Sequence, residues 1–157
     1  MQDTNYSNVE LYYNERYKSD KENDIKPWQI SEGVRPHDAY PMILYYLKVK
    51  PTGKLLDIAC GRGYLLKAAE SKGLDTFGVD ISDEAVKLAR LNAVKSDIRV
   101  SKAEELPYND KFFDYITCLG SLEHFLKPEE AAAEMVRVGK DDAVFCIMVP
   151  NANFIYW

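Results

Sequence analysis

Residues Lys54–Leu66 read KLLDIACGRGYLL, and this stretch limits the fold more than any other. Lys54 to Ala59 is a short apolar run with one acid, Asp57, near its end. Pro51-Thr52-Gly53 precedes it, and together they predict a buried parallel strand. Cys60-Gly61-Arg62-Gly63 supplies a small-residue turn. Tyr64 to Ser71 then predicts a helix with Leu65, Leu66 and Ala69 on one face. Strand, glycine turn and helix in succession hold nucleotide-like ligands beyond the carboxyl ends of open α/β sheets. The glycines let the backbone approach the ligand, and the helix N-terminus presents unpaired N–H groups. A dinucleotide fingerprint needs a third glycine where Leu66 stands, and a phosphate loop needs Gly-Lys-Ser/Thr before the helix. What remains is an acid, Asp57, ahead of a Gly-x-Gly turn, which repels a pyrophosphate and suits a cation.

Asp57-Ile58-Ala59-Cys60-Gly61-Arg62-Gly63 resembles the first motif of the class I S-adenosylmethionine-dependent methyltransferases of the small-molecule type. Their ligand carries an ammonium and a sulfonium, which fits the acid in the turn. The family usually has glycine where Ala59 stands. An ordinary α/β turn that binds nothing shares this local pattern, so the rest of the chain has to carry the resemblance.

Residues 1–36 form a polar lead rich in tyrosine: Tyr6, Tyr12, Tyr13 and Tyr17, with Trp28. Val9 to Lys18 predicts a short helix capped by Asn8. Two compatible readings stand, a surface arm packing its rings on the domain and a lid that excludes water from a ligand. Asp38 to Val49 predicts a helix with Ile43, Leu44 and Leu47 inward, supported by Tyr40 and Tyr46, and with Pro41 in its first turn. Leu74 to Asp80 predicts the second strand, and a helix follows from Asp83 to Asn92 with Ser82 at its start. Asp80 lies about 20 residues past the glycine turn, where the general rule places a ribose-binding acid; as an alternative, it caps the helix. Asp97 to Ser101 predicts a third strand with Ile98 and Val100 as its apolar members. Phe112 to Leu119 predicts a fourth, followed by Gly120-Ser121-Leu122-Glu123-His124-Phe125. Pro128 to Val138 predicts a helix with Ala132, Met135, Val136 and Val138 inward. Gly139 to Ala143 reads as a turn and Ala143 to Val149 as the fifth strand, closed by Pro150-Asn151.

The resemblance extends from Lys54 to Asn151. Lys102-Ala103-Glu104-Glu105-Leu106-Pro107 matches the family's Asp-Ala-Glu-x-Leu-Pro segment, with Lys102 in place of the acid that contacts adenine. Phe113-Asp114, Leu122-Glu123-His124, Arg137-Val138 and Pro150-Asn151 match further motifs. The resemblance implies an α/β, Rossmann-like doubly wound sheet with strand order 3-2-1-4-5 and helices on both faces. It implies S-adenosyl-L-methionine as cofactor and S-adenosyl-L-homocysteine as product. The implied cofactor-binding residues are Asp57, Ala59, Gly61, Gly63, Asp80, Ile81, Ala103, Glu104, Leu119 and Tyr17, with Tyr13 a further lid candidate. His124 is the candidate base, with loop orientation or ligand hydrogen bonding as its alternative role, and His37 could border the same site.

Composition narrows the acceptor. With 20 basic and 25 acidic side chains the net charge is -5, which disfavours a nucleic-acid backbone as partner. No Asn-Pro-Pro-Tyr follows the fourth strand, which also disfavours a base-amine methylase. The expected reaction is methyl transfer to a hydroxyl or amine of a small molecule. The rival is a non-catalytic cofactor-binding subunit completed by a partner chain. An aminopropyl transferase ranks last, since Ser121-Leu122-Glu123 lacks the acid pair that chemistry needs. The 157 residues contain no apolar run near the roughly 20 of a membrane span. The three cysteines show no metal-ligand spacing, and a reduced cytoplasmic setting with no metal is expected.

Residues 37–157 thus form the cofactor domain, and it is short at its C-terminus: the family's sheet has seven strands, and five are counted here. Ala143 to Val149 is expected to be an exposed apolar edge, and Phe154-Ile155-Tyr156-Trp157 is too apolar to stand in water. A chain cut short, a homodimer and a separate partner chain all account for this.

Overall fold

The computed structural model describes residues 5–19 and 39–150. Trp28, His37 and Phe154–Trp157 lie outside the described residues. The chain order is α1 (Tyr6–Ser19), α2 (Ala39–Tyr46), β1 (Lys54–Ile58), α3 (Tyr64–Glu70), β2 (Asp75–Asp80), α4 (Asp83–Asn92), β3 (Asp97–Val100), β4 (Phe113–Leu119), a 3-10 turn (Leu122–His124), α5 (Pro128–Val138) and β5 (Gly139–Met148). The five strands form one parallel sheet in the order β3-β2-β1-β4-β5.

The alternation of side chains along the strands divides the interior in two. On one face Leu55 and Tyr115 pack with Tyr40, Leu44 and Leu47 around α2, with Leu65, Leu66 and Ala69 of α3, and with Val86 and Ala89 of α4. On the other, Leu56, Ile58, Val79, Ile116 and Cys118 pack against Ala131, Met135 and Val138 of α5. Helices therefore cover both faces, as parallel strands buried on each side require. Each fully buried Leu or Ile contributes roughly 1.5–3 kcal/mol.

Several local expectations shift. α1 starts at Tyr6 rather than Val9, because Asn5 is the cap: its Oδ1 accepts the Asn8 N–H at 3.0 Å. In α2, Tyr46 is 74% exposed, and Tyr40 and Leu44 one turn apart do the packing instead. In α5 the inward stripe is Ala131, Met135 and Val138, while Val136 points outward and Ala132 is exposed. Val100 is exposed because β3 is an edge strand. Gly139 to Ala143 is not a separate turn. The strand begins at Gly139 and absorbs the extra residues as an irregularity opposite Phe113 and Tyr115.

β5 is the other edge. Val144, Phe145, Ile147 and Met148 are between 38% and 45% exposed there. Arg137 ties α5 to the loop after β3. It donates to the Tyr108 and Leu106 carbonyls at 2.8 and 3.0 Å, and to Asp110 at 2.7 Å. Its neighbour Glu134 accepts the Leu106 N–H at 2.7 Å.

Candidate cofactor site

A cavity of about 700 Å³ opens beyond the carboxyl ends of the strands. That size suits a nucleoside-type ligand. Its floor is built by the segments that leave four neighbouring strands: Ala59 to Arg62 after β1, Asp80 and Ile81 after β2, Ser101 to Glu104 after β3, and Leu119 to Ser121 after β4. α1 forms the opposite wall with Tyr6, Val9, Tyr13 and Tyr17, which recur at three- and four-residue spacing on one helix face, together with Tyr12 and Arg16.

Asp57 is buried beneath this floor. Parallel register sets it opposite Thr117 on β4, and the Thr117 hydroxyl donates to its Oδ1 at 2.7 Å. Asp80 is held by backbone donors at the cavity floor. Its Oδ2 accepts the Gly61 N–H and its Oδ1 the Ser82 N–H, both at 2.9 Å. A carboxylate offers about four acceptor sites, so beside the Gly61, Ser82 and Ile81 N–H groups it keeps capacity for a further donor. Burial raises the carboxyl to about 6, and the Ser82, Gly61 and Ile81 N–H groups offset only part of that rise.

Gly61 and Gly63 play different parts. Gly61 has φ +53 and faces the cavity, and a Cβ there would stand 2.8 Å from the Tyr17 hydroxyl. Gly63 does not line the cavity. It precedes α3 with φ +73, and a Cβ on it would meet Ala89 of α4 at 3.0 Å. Ala59 does line the cavity and carries φ +55, a left-handed conformation that costs a residue with a Cβ about 1 kcal/mol.

Tyr17 is pushed up by burial and by nearby Asp80, so its phenol stays protonated and can donate. Burial also raises the Cys60 thiol, with Asp80 and Asp57 adding to the effect, which leaves it a packing group rather than a nucleophile. α1 is joined to the floor through Asn14. Its Oδ1 accepts from the Ser82 hydroxyl at 2.5 Å, while Ser82 caps α4 by accepting the Ala85 N–H at 3.1 Å.

His124 lies on the 3-10 turn after β4 and lines the cavity with a side chain 57% exposed, so it sits at the mouth. Its Nε2 is 3.8 Å from Glu123 Oε1. The cavity thus brings together His124, Asp57, Ala59, Gly61, Asp80, Ile81, Ala103, Glu104, Leu119 and Tyr17. It also contains residues that sequence reading did not select, among them Arg16, Arg62, Tyr64 and Phe125. The spacing of Tyr13, Arg16 and Tyr17 along one helix face was the available signal for the α1 wall.

This is the architecture of a Rossmann-like domain with a ligand cavity at its topological switch point, floored by a glycine turn and a strand-end acid. The chain matches the family described as Methyltransferase domain over residues 56–147, and it belongs to that family, whose members use S-adenosylmethionine. The ubiquinone biosynthesis O-methyltransferase of Alkalilimnicola ehrlichii is 34% identical over 136 residues, covering 80% of this chain and 55% of that protein. Among solved structures, the YcgJ protein of Bacillus subtilis is 28% identical with a TM-score of 0.67, covering 71% of this chain and 50% of that one. A chain from the complex of the Haloferax volcanii Trm112 methyltransferase activator with a methyltransferase is 26% identical with a TM-score of 0.66, covering 72% of this chain and 51% of that one. The chain spans about half the length of the curated relatives it matches.

The residues present fit that cofactor. Asp80 keeps acceptor capacity for ribose hydroxyls, Gly61 leaves room for close approach, and Asp57, Glu104 and Glu123 give the lining an acidic share that suits an ammonium and a sulfonium.

Proposed function

We propose that this chain carries the cofactor-binding part of a methyltransferase acting on a hydroxyl of a small molecule. The observation that carries the reading is Asp80, buried at the cavity floor among backbone N–H donors with acceptor capacity left over. The family match and the O-methyltransferase names of the relatives support the reaction class and favour oxygen over nitrogen as acceptor.

Bound S-adenosylmethionine supplies a methyl group on a sulfonium, already a good leaving system. The protein's work is to align the acceptor and keep water out. Asp80 holds the ribose, while Gly61 and Ala59 let the backbone approach. α1 serves as the lid: Tyr13 and Tyr17 cover the site, and Asn14 fastens the helix to Ser82. His124, at the mouth, takes the proton that the acceptor hydroxyl loses as its oxygen forms the new bond to carbon. Glu123 Oε1 stands 3.8 Å from Nε2. In the working protein further polypeptide, whether more of the same protein, a second copy or a partner chain, covers the apolar β5 edge. The exposure of that edge and the methyltransferase complex from Haloferax volcanii support this. Cys60, Cys118 and Cys146 stand outside any disulfide, which supports a cytoplasmic setting.

The test is transfer of labelled methyl from S-adenosylmethionine to a panel of phenols and hydroxylated metabolites. His124→Ala should lower turnover by about 10²–10⁴-fold while S-adenosylhomocysteine affinity stays near wild type. Unchanged turnover would remove His124 from the chemistry.

A further inference from the structure

The end of α2 away from the cavity carries side chains that neither the core nor the site uses. Met42, Tyr45 and Tyr46 share one helix face and are 54%, 77% and 74% exposed. The two rings meet edge to face with centroids 5.6 Å apart, so they stand out as one apolar knob. Lysines flank it. Lys48 and Lys50 follow α2, and Lys72 lies beside them because the Thr52 N–H donates to the Gly73 carbonyl at 2.8 Å. All three are exposed, and among the described residues none forms an ion pair. The acids nearby are engaged: Asp75 pairs with Lys54 at 3.0 Å, and Glu70 accepts the Lys95 N–H at 2.8 Å. Residues 39–56 contain no acid, in a chain whose net charge is -5. Lys48 also holds φ +51, a left-handed position after a helix where glycine is usual, so the lysine stands there against the backbone preference.

Protruding tyrosines with unpaired lysines around them match an anionic bilayer surface. Tyrosine rings settle at the headgroup level, and lysine stems lie along apolar surface while their ammoniums reach the anionic groups. The overall charge of -5 does not oppose this at contact, because screening confines each charge to about 8 Å at physiological salt. We propose that the end of α2 and the loop after it dock on an anionic lipid surface. Tyr45 and Tyr46 enter the headgroup layer, and Lys48, Lys50 and Lys72 pair with the lipid charges. The contact is peripheral, since no described helix is long and apolar enough to cross a membrane. It is independent of the cofactor reading, because none of these residues lines the cavity. The lysine loops precede β1 and β2, whereas the cavity opens beyond the other ends of those strands, so docking leaves the mouth free.

The experiment is co-sedimentation of the chain with vesicles of phosphatidylcholine alone and of phosphatidylcholine with about a third phosphatidylglycerol, at low and physiological salt. Thermal melts establish that each variant is folded. Wild type is expected to partition onto the anionic vesicles at least about tenfold more strongly than onto the neutral ones, and less strongly as salt rises. Lys48→Gly suits the left-handed backbone, so Tm should stay at or above wild type while partition weakens about fivefold, the share of one lysine. Tyr45→Ser with Tyr46→Ser removes the rings at constant charge and should weaken partition at least about tenfold. No partition of the folded wild type, equal partition onto neutral and anionic vesicles, or partition unmoved in both variants would overturn the proposal. Self-association by light scattering, without vesicle binding and lost in the tyrosine variant, would overturn it in favour of a second copy of the chain.

Discussion

Asp80 is ionised or neutral according to what faces it. With its carboxyl raised to about 6 from an ordinary value of 3.8, the folded protein holds a proton that the unfolded chain has already released across that window. Stability of the free protein is therefore highest below the lower value, falls as pH rises toward 6, and then levels off. In the proposed cofactor complex, ribose hydroxyls would donate to the carboxylate, favour its charged form and draw the value back down. Binding is thereby coupled to loss of that proton, and affinity rises with pH up to about 6. Ala59 raises a separate question, that of strain. Ala59→Gly should stabilise the fold by about 1 kcal/mol, seen as a rise in Tm of about 2–4 °C, since glycine takes φ +55 without penalty. A lower Tm would mean that the alanine methyl contributes more packing than its backbone costs. The position of Asp80 beside the glycine turn was legible in the sequence because its distance from that turn follows from the βαβ unit. The left-handed backbone at Ala59 was not, since one methyl in a family motif says nothing about φ.

Among the elements, α1 couples the lead to the site. Its tyrosines were visible as residues too aromatic for a loose tail, and their helical spacing places them along one wall of the cavity. Asn14 was not singled out, because an asparagine in a polar helix carries no local signal; its partners, Ser82 and Glu84, lie 68 and 70 residues away. Asn14→Ala should leave the sheet intact and weaken docking by about 0.5–1.5 kcal/mol. Hydrogen exchange across α1 should then quicken up to about tenfold, with β1 and β4 unchanged; equal protection in α1 would show that its rings alone hold it. The phase of α5 went unread for a related reason. Its sequence offers apolar residues at 131, 132, 133, 135, 136 and 138, more than one stripe can use, and only packing on β4 selects Ala131, Met135 and Val138. α4 came out as read because Ser82, Asp83 and Glu84 mark its start chemically: a side-chain cap with two acids at the positive end of the helix.

For the molecule as a whole, a cavity floored by four strand ends coexists with an exposed apolar strand. The cavity draws on β1, β2, β3 and β4, so it does not need anything beyond β5 for its floor. The alternation of apolar strands and amphipathic helices predicted a parallel sheet, and the strand order was legible through the family resemblance. What covers β5 was not, because an edge and a central strand share the same apolar composition.

The central claim is that this cavity binds S-adenosylmethionine through Asp80. The most direct test is calorimetric titration of S-adenosylhomocysteine into the chain between pH 5 and 8, with Asp80→Asn beside it. Wild type should bind in the micromolar range at pH 7.5 and lose about tenfold per pH unit below 6, and Asp80→Asn should bind far more weakly and without that dependence. Equal affinity for wild type and Asp80→Asn across the range would contradict it.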